Sequence, residues 1–281
     1  MALSDALDER AATNRALARR VGWEASILPA VVAAVVVGAV LWWLGGVVVG
    51  VVVGVVVGAG VAVGRVTTVS GRAVGQVLDA VGARPATEAE FPRFHNLIEG
   101  LSISNGVEEP GLWAVDSPGA NALAVGPPGS AAVVVTTGLL EHLDRVELEG
   151  VLAEALYRIR VHEADLGGQV AVFVCGPSLR RGSDGRPVPA RRAARVAHLL
   201  DDRRHLVADV SASAMTRFPP GLRDALSQMQ ETGTVVASSP PGATHLWMCD
   251  PLPTTPSGGA ADRPVPLHPP LQHRIDLLAE L

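Results

Sequence analysis

The sequence contains no lysine; all 23 basic residues are arginine. Aromatic residues are scarce at 4%, and charged residues reach 18%, below the quarter usual in soluble domains. Two cysteines, Cys175 and Cys249, form no disulfide framework and suit a reducing compartment. Without lysine there is no phosphate loop ending in Gly-Lys-Ser/Thr, and no G-x-S-x-G elbow marks a serine nucleophile. A net charge of -5 with no basic cluster argues against a nucleic-acid partner. Disorder is excluded as well, because it needs low hydrophobicity and high charge, and 48% of this chain is hydrophobic.

The shortage of charge is local. No charged residue lies between Glu24 and Arg65, a run of 40 residues. As one helix the run would reach roughly 60 Å, twice the hydrocarbon thickness of a bilayer. Two spans joined at Gly45-Gly46 fit better, helix one over about 25–44 and helix two over about 47–64. The run is too long for a signal peptide. Trp23 marks one interface, and Trp42 and Trp43 the other. Arg10, Arg15, Arg19 and Arg20 precede the hairpin, and Arg65 and Arg72 follow it. The positive-inside rule then predicts a multi-pass protein of the cell membrane with both termini cytoplasmic and the lipid bilayer as its first partner.

In helix two, Gly46, Gly50, Gly54 and Gly58 alternate with valine triplets. Four-residue spacing sets them nearly on one face, as a helix-packing seam. The seam serves helix one or a second protomer, which leaves a homo-oligomer open. Tethering favours helix one. A plain Gly/Val low-complexity run is the other reading.

Downstream, residues 66–85 predict a connecting amphipathic helix. Thr87 with Glu90 reads as a capping box for a helix over 88–103, and Asp144 with Glu147 as another for a helix over 145–163. Leu112–Val115, Asn121–Val125 and Ala131–Thr136 predict short strands in one small, mostly antiparallel sheet. Val170–Val174 is apolar but too short to span a bilayer. A polar loop is expected over 176–190, a long helix over 191–216, a short one over Gly221–Glu231, an extended piece at Thr244–Met248 within a Pro/Gly/Ser/Thr-rich stretch, and a terminal helix after Pro269-Pro270.

From about residue 84 the chain resembles the HtpX-like membrane-bound zinc metallopeptidases, relatives of the CAAX prenyl proteases. The resemblance rests on ordered pieces: Asn121-Ala-Leu-Ala-Val-Gly, Val135-Thr-Thr-Gly-Leu-Leu, Asp144-Arg-Val-Glu-Leu-Glu-Gly-Val-Leu-Ala, Ala208-Asp209, Thr244-His-Leu-Trp-Met-Cys-Asp-Pro-Leu and His268-Pro-Pro-Leu-Gln-His-Arg-Ile. It implies an α+β protein: a two-helix transmembrane hairpin, then a mostly helical zincin-like (gluzincin) domain with one small sheet. The implied division is a cytoplasmic N-terminal segment 1–24, the hairpin 25–64, a connecting helix 65–85 and a metallopeptidase-like cytoplasmic domain 86–281.

The family's chemistry is zinc-assisted peptide hydrolysis, with an H-E-x-x-H helix and a later Glu. This sequence instead reads Glu154-Ala155-Leu156-Tyr157-Arg158, with Val207 taken as the position of the later Glu. Glu154 replaces the first ligand, Ala155 the general base and Arg158 the second ligand. Alanine takes no proton from water, and arginine puts a permanent cation where a metal would sit. The expectation is a degenerate member without catalytic residues, metal or cofactor. Glu154 and Arg158, four apart, are expected to pair across the old metal site, with solvation of both as the alternative.

His162-Glu163 reads as a chance fragment of the motif, since Leu166 stands where a second His is needed. His198 and His205 are too far apart on one helix for a shared ion. His95, His142, His245, His268 and His273 are dispersed, and packing or surface roles are their default. The strand Asn121, Ala122, Leu123, Ala124, Val125 corresponds to the family's cleft strand; it offers an open edge for a peptide, or it is an ordinary strand whose edge the polar loop covers. Three functions remain: a pseudopeptidase that binds a peptide or membrane protein, an active zinc endopeptidase of membrane-protein quality control with unusual ligands, and a self-associating structural membrane protein.

Overall fold

A computed structural model of the chain describes residues 3–179, 188–253 and 267–281. The greater part of the 176–190 loop and of the Pro/Gly-rich stretch after 253 therefore lies outside the described residues.

The first helix, α1 (Leu3–Gly45), is followed after one residue by α2 (Val47–Gly71). Gly46 alone breaks the run, at φ 90, a left-handed value that glycine adopts without strain. Both helices are long and apolar enough to cross a membrane. Trp23, Trp42 and Trp43 are exposed, as interfacial anchors require. The first helix is longer than expected, because residues 1–24 do not stand apart: from Leu3 they continue the same helix. Their apolar side is paid for by tertiary contact, with Ala18 and Val21 buried against Leu166 and Val170.

The glycine seam divides in two. Gly50, Gly54 and Gly58 are buried, and a Cβ on them would lie 2.6, 2.6 and 2.8 Å from the carbonyl oxygens of Gly38, Ala34 and Ala30. The close approach is to α1, so this face is used within the hairpin. Gly46 is not part of it; a Cβ there would meet nothing within 4 Å, and its role is the turn.

The expected connecting helix is interrupted. α2 ends at Gly71, and α3 (Ala73–Val81) stops at the left-handed Gly82. A two-residue strand β1 (Arg84–Pro85) follows, then α4 (Pro92–Asn105). The Thr87/Glu90 capping box does not form. The Glu90 carboxylate is held by Arg84 at 2.6 and 2.7 Å, and α4 opens instead on Pro92, whose missing N–H costs nothing at a helix start.

The strands β2 (Gly111–Val115), β3 (Ala122–Val125) and β4 (Ala132–Thr136) join β1 in the order β1-β2-β4-β3. β2 and β4 pair in parallel, while β1 with β2 and β3 with β4 are antiparallel. The sheet is thus mixed. Alternate side chains serve two cores: Ala114, Val133 and Val135 face one, and Val115, Val134 and Leu123 the other. Both faces are covered, which is why the strands read as continuous apolar runs.

The short α5 (Thr137–His142) leads to α6 (Arg145–Arg160), whose Asp144/Glu147 capping box is complete. From Gly150 to Ile159 every residue of α6 is buried, so it is the central helix. α7 (Glu163–Val170) runs into a π-helical turn, Ala171–Cys175. The long helix expected over 191–216 is two, α8 (Ala190–Leu199) and α9 (Arg204–Thr216). Asp201 accepts the Arg203 backbone N–H at 3.0 Å, a local turn that competes with helix. α10 (Pro219–Thr232) and α11 (Leu271–Ala279) complete the domain. Thr244–Met248 is mostly a 3-10 turn, Pro241–Leu246, rather than a strand.

Candidate functional site

The positions singled out on α6 are deeply buried: Glu154 and Arg158 are each 1% exposed, and Ala155 lies between them in the core. The expected Glu154–Arg158 ion pair is not made. Arg158 donates from Nε to Glu163 Oε1 at 3.1 Å and from Nη1 to the Leu246 carbonyl at 3.1 Å. Two strong acceptors beyond the helix end outcompete one carboxylate a turn back. Glu163 reaches Arg158 because His162, at φ 56, takes a left-handed conformation between α6 and α7. The His162-Glu163 pair is therefore no motif fragment; Glu163 supplies the counter-ion of Arg158.

Glu154 has no such partner. Its Oε1 is buried without a hydrogen bond from any of the described residues. Burial pushes its carboxyl up to about 7, against the pull of Arg158 and Arg274.

α9 supplies the facing wall. Its buried face carries Arg204, His205, Ala208, Asp209 and Ala212, one helical stripe. Val207 lies off that stripe, half-buried beside Tyr157, Ala208 and Leu7. The structure thus does not bring Val207 to Glu154 and Arg158; the α9 residue on that side, one turn before Asp209, is His205. Both ring nitrogens of His205 are buried without a hydrogen-bond partner among the described residues, and its ring lies 5.0 Å from that of His268.

α11 closes the nest. Arg274 grips Asp209 in a fork, Nε to Oδ2 and Nη2 to Oδ1, both at 2.7 Å, and donates from Nη1 to the Met248 carbonyl at 2.7 Å. Burial disfavours its charge, but the Asp209 carboxylate more than offsets this and holds the guanidinium protonated. Arg204 is less well placed: burial brings it down to about 10, with Glu163 only partly compensating. Burial, reinforced by Arg204, keeps His205 and His268 neutral, and His245 is brought down to about 3. His245 and His268 hold backbone carbonyls, those of Gly167 and Trp247, at 3.0 Å each. Cys175 and Cys249 are free and buried, their thiols pushed up to about 12 by desolvation.

The nest therefore holds three arginines, three carboxyl groups and neutral histidines. Among the described residues no group of three or more His, Cys, Asp or Glu is placed to hold a metal ion. The donor set does not fit zinc, because guanidinium groups stand among the ligand-type side chains. The sequence alone assigns no role to Glu163, Arg204, Asp209 or Arg274, although Glu163, Asp209 and Arg274 lie in the pieces His162-Glu163, Ala208-Asp209 and His268–Ile275. The available signal was the i, i+1, i+4, i+5 stripe of α9, which mixes charge with alanine.

The strand 121–125 is closed. All five residues are at most 2% exposed. Leu123 bridges to Trp247, and the Met248 N–H donates to the Ala122 carbonyl at 2.8 Å. Asn121 Nδ2 donates to the carbonyls of Thr234 and Cys249, while its Oδ1 accepts from the Cys249 N–H at 3.2 Å. The chain's own segment 247–249 lies along this edge, and most of the polar loop 176–190 lies outside the described residues.

Among known proteins the chain is similar to the protease HtpX homologue of Dictyoglomus thermophilum, at 35% identity over 224 residues, 71% of this chain and 72% of that protein. It is also similar to the homologues of Tropheryma whipplei, at 32% over 71% of this chain and 76% of that one, and of Acidiphilium cryptum, at 33% over 76% and 81%. No family model and no solved structure matches the chain.

Proposed function

The chain belongs to the HtpX protease family of membrane-anchored metallopeptidases, and from that premise we propose a member that binds a peptide or membrane-protein partner without hydrolysing it. One observation carries this reading: the buried Arg158–Glu163 pair at 3.1 Å, on the helix where the family's resemblance requires metal ligands. A guanidinium fixed there by two bonds repels a divalent cation. The neighbouring Ala155 has no group to take a proton from water, so peptide hydrolysis lacks its base. The likeness to the family nevertheless extends over 71–76% of the chain, which suits a protein selected for binding.

In the same reading both chain ends are cytoplasmic. The hairpin returns the chain to the side it came from, and the arginines flanking it face the cytoplasm.

The test is metal analysis of the purified full-length protein, paired with a casein cleavage assay with and without chelator. The expected result is substoichiometric zinc and no chelator-sensitive cleavage. Stoichiometric zinc with chelator-sensitive cleavage would overturn the proposal and establish an active endopeptidase with unusual ligands.

A further inference from the structure

We infer that the cavity between the α8–α9 turn, α10 and α11 receives the free carboxylate end of a peptide that carries a basic residue just behind it. The inference rests on the peptide-binding reading above and names the ligand chemistry of that binding.

The cavity measures about 830 Å³, within the range of ligand pockets. Two arginines line it, Arg204 and Arg274. Arg274 is fully engaged by Asp209 and the Met248 carbonyl. Arg204 is not. It is 3% exposed, yet among the described residues its one hydrogen bond is a 3.4 Å contact from Nη2 to the Leu267 carbonyl, itself on the cavity wall. Its Nη1 makes none and stands 4.0 Å from Glu163 Oε1, an oxygen already bonded by Arg158. A guanidinium has five donors, and a long contact to an oxygen already bonded by Arg158 leaves Arg204 only weakly partnered. Arg204 thus has spare capacity for an anion, and a carboxylate matches its fork in two parallel bonds.

The mouth has the opposite sign. Asp201 and Asp202 are exposed on the cavity lining. Asp201 also pairs with Arg10 at 3.0 Å. A simple anion would be repelled on entry. A ligand with its carboxylate at the depth of Arg204 and a cation at the level of the aspartates matches both charges. Leu200, Leu267, Leu271 and Met229 supply apolar wall between them. A peptide ending in a small residue preceded by arginine or lysine has this layout.

The test is fluorescence anisotropy of the full-length protein in detergent micelles with four labelled hexapeptides. They end in Arg-Ala with a free carboxylate, the same with a C-terminal amide, the amide with an internal Asp, and Ala-Ala with a free carboxylate. The acid Arg-Ala peptide is expected to bind at least tenfold tighter than its amide. Asp201→Asn with Asp202→Asn should remove the preference for Arg while keeping that for the acid. Arg204→Gln should abolish the acid preference. Equal binding of acid and amide, or no binding of any peptide, overturns the inference. An internal-Asp amide that matches the acid overturns the assignment to a chain terminus. Failure of the underlying reading shows separately, as stoichiometric zinc.

Discussion

Arg274 and Asp209 meet across α11 and α9 in a two-bond fork, with both side chains at most 1% exposed. The fork ties the C-terminal helix to the wall of the buried nest. Removing one partner leaves a buried, uncompensated charge, which costs about 3–5 kcal/mol. Asp209→Asn and Arg274→Gln should each lower the melting temperature sharply, whereas Arg223→Gln, which removes an exposed pair with Asp224, should change it little. Thermal unfolding of the three variants in one detergent checks this.

Glu154 should make the protein less stable as pH rises. Its folded-state value, near 7, lies above the ordinary carboxylate value of 4.5. The folded state therefore holds a proton that the unfolded chain has released, and stability falls between about pH 4.5 and 7, then levels off. Glu154→Gln removes this loss. The melting temperature of the variant minus that of the natural protein should be more positive at pH 8 than at pH 5; an unchanged difference would contradict the burial argument.

The histidines act in the opposite sense. His245 is brought from 6.5 down to about 3, so its neutral form stabilises the fold above pH 6.5. That contribution is lost as pH falls through the window from 6.5 to 3, at up to ~1.4 kcal/mol per pH unit. In the Glu154→Gln background, where Glu154 no longer opposes this trend, melting temperature should fall below pH 6.5. A flat profile there would show that His245 is accessible to water.

The hairpin should tolerate a methyl group at one glycine and not at another. A Cβ at Gly54 would lie 2.6 Å from the Ala34 carbonyl oxygen, while one at Gly60 would meet nothing within 4 Å. Gly54→Ala is expected to destabilise by about 1–3 kcal/mol through overpacking, and Gly60→Ala to be neutral. Unfolding in detergent, read by helix content, distinguishes them.

Restoring zinc ligands tests which α9 residue faces the nest. Glu154→His, Ala155→Glu and Arg158→His combined with His205→Glu should bind zinc measurably. The same three with His205→Ala and Val207→Glu should not, because Val207 packs with Tyr157 and Ala208 away from the nest. Equilibrium dialysis with zinc reads both.

Much of the architecture is legible in the sequence because its causes are local. The uncharged run and its central glycines define the hairpin, and Asp144 with Glu147 defines the start of α6. What the sequence hides depends on long-range competition. The Thr87/Glu90 pair has the right spacing for a cap, but Arg84 takes the carboxylate. β2 looks like a hairpin partner of β3, yet it pairs in parallel with β4, and the strand inserted between them in space comes later in the chain. At the candidate site, spacing suggested that Arg158 would turn to Glu154. The left-handed backbone at His162, which no spacing rule foretells, instead delivers Glu163 to it. The stripe on α9 was hidden because Val207 is nearer in sequence to Ala208-Asp209 than His205 is, although helical geometry sets His205 beneath Asp209.

The first helix runs unbroken for 43 residues, roughly 64 Å, from the flank of the domain to the far end of the hairpin. Its first half is bolted to the domain by Asn14 on the Val161 carbonyl and by Glu24 on Arg195. Its second half is clamped to α2 along the glycines. Mechanically it is one shaft with a bearing at each end. Because Asn14 holds the carbonyl of Val161, next to the turn that carries Glu163 to Arg158, the same helix that enters the hairpin also fixes the end of α6.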